Sequence, residues 1–252
     1  MGKINKQRIE TLLSFLEENK EHFFLIGGHA AAIHFERIGL EFRTTKDFDI
    51  VLTSKIDNSS FSLQLSKMLI EGGYENKYRN ERKTAYRFEN PKSNAFPKII
   101  EFFVEEGVFP ESLDRRFAKL EIQVNKEKIS AIVLDKDVFE FSNRHIEIID
   151  GLPVVEIKAL IALKALAFFN NKKLFEKNLV EQEDYQKHRK DIIRLLSIVT
   201  DDSALNDLPD TLLAPLRAFV PVLEESKSIA RSYSIELKVI LDVYRNIFNI
   251  NS

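Results

Sequence analysis

Apolar positions in the first twenty residues recur at helical spacing. Ile4, Ile9, Leu12, Leu13 and Leu16 share one side and Glu17, Glu18 and Lys20 the other, which predicts a helix over 4–20 packed on a sheet. The period then changes. Phe23-Phe24-Leu25-Ile26 is an unbroken apolar run of strand character, Gly27-Gly28 stops it, and His29 to about Ile38 reads as a small-residue helix. A second strand follows, in which Phe48, Ile50 and Leu52 form an apolar face and Asp47 and Asp49 the other. The order is strand, glycine turn, helix, strand.

Further on, Ile56–Ile70 is helical in pattern, with Asn58 or Ser59 as N-cap and Gly72-Gly73 as the stop. Tyr74–Arg79 and Thr84–Glu89 predict two strands around the polar turn Asn80-Glu81-Arg82-Lys83. Lys98–Val104 is nearly continuous apolar sequence, as a central strand would be, and carries Glu101 within it. Leu120–Val124, Lys128–Val133, Val138–Phe141 and His145–Ile149 read as a β-rich extension. After Gly151-Leu152-Pro153 the period becomes about 3.6. A buried helix is expected over Val155–Phe169, a polar mobile loop over Asn170–Gln182, and a helix with the stripe Ile192, Ile193, Leu195 and Leu196. A Pro-interrupted helix around Leu212–Leu223 and an amphipathic one over Ile235–Phe248 end the chain. The pattern predicts an α/β (α+β) mixed-sheet domain over 1–150 and a helical domain over 151–252.

Composition narrows the class. The 252 residues are 44% apolar with 20 Phe, ample for a core, and no run approaches the roughly 18 apolar residues a membrane span needs. A charged amphipathic N-terminus and the lack of cysteine point to a soluble, cytoplasmic protein without membrane contact or disulfides. A formal charge of −2 gives no global attraction to nucleic acid. Lys77, Arg79, Arg82, Lys83 and Arg87 interleave with Tyr74, Tyr78, Tyr86 and Phe88, which reads as a solvated strand face backed by aromatic core in preference to a nucleic-acid surface.

The chemistry lies in the acidic residues. Asp47 and Asp49 are two apart on a strand, so their carboxylates sit about 5–7 Å apart and repel unless a cation lies between them; hard oxygen ligands suit Mg²⁺ or Mn²⁺. Gly27 and Gly28 would let backbone N–H groups approach a phosphate at a helix N-terminus. Glu101, a carboxylate in an apolar run, either pairs with a buried Arg or Lys or joins the two aspartates as a third metal ligand. His29 could donate to a phosphate, cap the helix, or touch base or ribose, and His34 is five residues on, the wrong spacing for a His-His metal pair. Arg43 is expected to contact a triphosphate or the acidic cluster, with Lys46 beside it. Lys164, on a buried helix, either extends to water or meets an anion, and Arg189 with Asp191 reads as a structural ion pair.

Gly27-Gly28-His29-Ala30 followed by Arg43-x-Thr45-Lys46-Asp47-x-Asp49 resembles the nucleotidyltransferase superfamily with the DNA polymerase beta type of fold, and most closely its abortive-infection (AbiEii/AbiGii) toxin-like branch. This chain has His29 where that superfamily usually has Ser, and Glu101 where it commonly has Asp. The resemblance implies transfer of a nucleoside monophosphate from a nucleoside triphosphate to an acceptor hydroxyl, on a tRNA end in the toxin branch. Asp47, Asp49 and Glu101 would hold Mg²⁺ or Mn²⁺, and Gly27, Gly28, His29, Arg43, Lys46 and Lys164 would bind substrate. An antitoxin partner belongs to the same set of expectations. The alternative is a non-catalytic nucleotide- or partner-binding module on the same fold.

Overall fold

The computed structural model describes residues 3–53, 60–78, 85–108, 117–124 and 127–250. The expected N-cap at Asn58 or Ser59 and the turn at 80–83 lie outside the described residues. The chain forms two compact units, Met1–Val155 and Glu156–Ser252.

The first unit opens with α1 (Lys3–Leu16) and a 3₁₀ turn over Glu17–His22, then β1 (Phe23–Ile26), α2 (Gly27–Arg37), β2 (Asp47–Leu52) and α3 (Ser60–Gly72). It continues with β3 (Glu75–Tyr78), β4 (Ala85–Glu89), β5 (Ile99–Glu105), β6 (Phe117–Val124) and β7 (Glu127–Leu134). α4 (Lys136–Arg144), β8 (Ile146–Ile149) and β9 (Leu152–Val155) complete it. The strands form one mixed sheet in the order β3-β4-β7-β5-β2-β1-β9-β8, with β6 beside β7 and β4 also pairing β5. β1 is antiparallel to β2, β2 parallel to β5, and β4 antiparallel to β5. The predicted mixed sheet with flanking helices, followed by C-terminal helices, is the observed architecture.

Alternation sets which face is buried. Phe48, Ile100 and Phe88 stand in one cross-strand row and are fully buried, as are Ile50 and Phe102. Burying side chains of this size contributes roughly 1.5–3 kcal/mol each, so the apolar face fixes the register. The opposite face of the same three strands carries Asp47, Asp49, Arg87, Glu89 and Glu101, with Val51, Ile99 and Phe103 among them.

Several expectations are corrected. Val138–Phe141 is not a strand but part of α4, because Asp135 caps a helix there: its carboxylate accepts from the amides of Asp137 and Val138 at 3.0 and 3.3 Å. Leu152–Val155 extends the sheet, with Leu25 of β1 in register with Val154, so the first unit reaches Val155. In the second unit, α5 (Ile157–Glu176) runs through most of the stretch expected to be a loop; nothing there breaks a helix until Asn178, which adopts φ +54°.

The second unit continues with α6 (Gln182–Leu196), α7 (Asp210–Glu224), α8 (Lys227–Ser232) and α9 (Leu237–Phe248). α7 is not interrupted and contains Pro215 and Pro221, where each missing N–H costs on the order of 3 kcal/mol, offset by burial of Leu212, Leu216, Phe219 and Leu223. Aromatic contacts join three helices: Phe168 of α5 meets Phe219 of α7 edge-on at 5.2 Å, and Phe219 lies tilted against Tyr244 of α9 at 6.1 Å, which meets Phe248 of its own helix edge-on at 4.9 Å. The buried Tyr244 hydroxyl donates to the Leu216 carbonyl at 2.9 Å. Among the described residues no helix is long and apolar enough to cross a membrane.

Candidate active site

The glycine turn and the acidic strand meet. Ile26 ends β1 opposite Asp49 of β2, and the chain enters α2 through Gly27 at φ +73°. A Cβ on Gly27 would lie 1.8 Å from Asp49 Oδ2, and one on Gly28 would lie 2.5 Å from Thr45 Oγ1. Each glycine is therefore required by one residue of the Thr45-x-Asp47-x-Asp49 segment. We expect Gly27→Ala to lose at least about 2 kcal/mol in urea unfolding, from left-handed backbone strain and a displaced carboxylate. Gly39→Ala is the control: Gly39 has φ +75° but nothing within 4 Å, so it should lose only the backbone part.

Register brings the third carboxylate in. Asp49 of β2 stands opposite Glu101 of β5, and Glu101 stands opposite Arg87 of β4, so the three form one row across three strands. Asp47 and Glu89 occupy the next row on the same face, each opposite Ile99. Arg87 is the hub. Its Nη1 donates to Glu101 Oε1 at 2.6 Å, its Nη2 to Asp47 Oδ1 at 3.4 Å, and its Nε to Glu89 Oε2 at 3.4 Å. Burial works against the guanidinium charge, but Glu101 and then Asp47 outweigh it and hold its pKa above the ordinary arginine value. Glu101 thus has the arginine partner that was one of its two expected fates. The sequence pattern alone places Arg87 on a solvated basic face, and the register of β4 on β5 turns it to the carboxylates.

His29 is buried at the start of α2 and stacked on Phe48 with ring centroids 3.5 Å apart. Its Nδ1–H donates to the Asp47 carbonyl at 2.8 Å, so the neutral ring carries its proton there. Nε2 is buried with no hydrogen-bond partner among the described residues. The neutral ring has no second proton to give a phosphate, and its visible work is to hold the backbone of Asp47. Burial first, with the charges of Arg8 and Arg43, overrides the favourable Asp47 carbonyl and lowers its pKa to about 4. The unfolded chain binds this proton near pH 6.5 and the folded one only near 4, so stability is lost as pH falls from about 6.5 to 4. His29→Gln should abolish about 3 kcal/mol of that acid loss, measured as the difference in pH dependence of urea unfolding between variant and wild type.

Arg43 is half-buried with its Cζ 5.7 Å from the Phe42 ring centroid. Lys46 is exposed, and its carbonyl accepts from the Ile99 amide at 3.2 Å. Lys164 lies in the second unit, where its Nζ donates to Asp191 Oδ2 at 2.7 Å, both side chains buried. Its ammonium is spent on a carboxylate, the anion being internal to the protein. Arg189 does not pair Asp191 but donates from Nε to Ser226 Oγ at 2.7 Å. His34 Nε2 donates to the Val155 carbonyl at 2.8 Å, tying α2 to β9.

Asp47, Asp49 and Glu101 supply hard oxygen donors on one face of neighbouring strands, so the donor set fits Mg²⁺ or Mn²⁺. Among the described residues, no three His, Asp or Glu side chains converge closely enough to hold a metal as they stand. Arg87 supplies the positive charge between Asp47 and Glu101.

No family model matches this chain, and no curated protein does. Several solved structures resemble it. The antibiotic-resistance factor ANT(2'')-Ia covers 92% of this chain and 100% of its own at 11% identity, with a TM-score of 0.42. JHP933 from Helicobacter pylori covers 98% and 90% at 10% identity, TM-score 0.42. A third, also from H. pylori and provisionally described as a nucleotidyltransferase, covers 96% and 91% at 12% identity, TM-score 0.42.

Proposed function

We propose that this chain is a metal-dependent nucleotidyltransferase that moves a nucleoside monophosphate from a nucleoside triphosphate to an acceptor hydroxyl. The observation that carries the reading is the contact of Gly27 with Asp49 and of Gly28 with Thr45, beside the row Asp49–Glu101. A turn built to bring backbone amides close to an anion abuts carboxylates suited to that anion's metal.

Asp47, Asp49 and Glu101 would hold Mg²⁺ or Mn²⁺, which when bound lowers the pKa of an attacking hydroxyl and neutralises the departing pyrophosphate. The residues of the chain do the rest. Gly27 and Gly28 admit Asp49 and Thr45 against the turn, and the backbone amides at the N-terminus of α2, where the helix dipole favours negative charge, would take the phosphate. His29 fixes the Asp47 backbone, and Arg43 and Lys46 add positive charge beside the acidic strand.

The sequence resemblance supports a tRNA end as the acceptor, a toxin-like role and an antitoxin partner. One observation favours the alternative of a nucleotide- or partner-binding module without chemistry, namely that Arg87 already neutralises Asp47 and Glu101. Incorporation of label from each of the four nucleoside triphosphates into RNA, protein and small-molecule pools, with Mg²⁺ or Mn²⁺, decides between them. Label in one pool, dependent on metal and on Asp49, is the expected result. Binding of a metal–triphosphate complex without incorporation would support the module, and no binding would remove both readings.

A further inference from the structure

We propose that Arg87 is a resident counter-ion that a divalent cation must displace from the carboxylates of this site. The inference rests on the metal-dependent reading above and deepens it. Arg87 touches Glu101 at 2.6 Å and Asp47 at 3.4 Å, two of the three carboxylates that would hold the cation. It is held there by register, since β4 places it opposite Glu101, and by Glu89 on its own strand at 3.4 Å. A guanidinium and a divalent cation cannot both lie between Asp47 and Glu101, because the two positive charges would compete for the same oxygens.

The guanidinium also has somewhere to go. Glu89 holds its Nε, so Arg87 can release Nη1 and Nη2 from Glu101 and Asp47 while keeping one carboxylate partner. The side chain is 26% exposed, so that swing does not require the core to open. The arrangement keeps closely spaced carboxylates from repelling each other before the cation arrives, and it sets the cation affinity below what the bare carboxylates would give.

The test uses the full chain and Mn²⁺ alone, with free Mn²⁺ counted by electron paramagnetic resonance. Arg87→Gln should bind Mn²⁺ about tenfold more tightly than wild type, as expected for removal of a partly exposed competing charge. Its metal-free melting temperature should fall, and Mn²⁺ should raise it by more than it raises the wild type. Arg87→Lys, which keeps the charge, should bind Mn²⁺ within about threefold of wild type. Equal or weaker Mn²⁺ binding by Arg87→Gln, with wild-type binding intact and dependent on Asp49, would overturn the exchange and leave Arg87 a structural tie. No Mn²⁺ binding to wild type would overturn the metal reading and this inference together. If Arg87→Gln does not fold, ¹⁵N side-chain spectra of the wild type decide: Mg²⁺ should shift the Arg87 Nε–H signal, assigned by its loss in Arg87→Lys, and an unchanged signal at saturating Mg²⁺ overturns the exchange.

Discussion

Asp49→Asn is expected to lower nucleotidyl transfer at least about a thousandfold while leaving the protein folded, because loss of a bound metal ion removes several kcal/mol of charge stabilisation from the transition state. Asp49 is the better test of the two aspartates. Asp47 is an ion-pair partner of Arg87 at 3.4 Å, so its replacement directly disturbs that pair; Asp49 stands opposite Ile26 in the β1–β2 register and against Gly27. Asn is nearly isosteric and keeps the fit under Gly27, and it removes one of the crowded negative charges. Single-turnover incorporation and urea unfolding, run on the same preparation, should therefore separate completely. Parallel loss of both would show that Asp49 serves the fold, and full activity would remove it from the chemistry.

The second large effect is on stability. Lys164→Met should destabilise the helical unit by about 3–5 kcal/mol, because it removes the cation that Asp191, a fully buried carboxylate, holds at 2.7 Å. The double variant Lys164→Met/Asp191→Leu should recover most of that loss, since both charges then leave the interior together. Urea unfolding of the three proteins checks this. A lysine reserved for substrate phosphate would behave differently: Lys164→Met would leave unfolding unchanged and raise KM for the nucleoside triphosphate.

Much of the first unit was legible in the residues. β1, α2 and β2 follow from an apolar run, a glycine pair and a strict alternation, and these are local signals that packing only confirms. The two aspartates on one face are a consequence of the period of a strand. The failures have a common cause as well. Val138–Phe141 is apolar enough for a strand, but the cap at Asp135 starts a helix there. Residues 170–176 are polar enough for a loop, but helical backbone tolerates polar side chains wherever one face is solvated.

The sequence by itself determined the strand–turn–helix–strand unit, the glycines at its turn, the acidic pair, and the change of period that separates sheet from helices. Only the tertiary structure decided that Gly27 closes on Asp49, that Glu101 meets Arg87, that His29 holds Asp47, and that Lys164 belongs to Asp191. The division is physical. Periodicity and turn chemistry act between residues a few positions apart and are written in the chain, whereas the partner of a charge depends on which strands lie side by side and in what register, which burial of the whole apolar face selects.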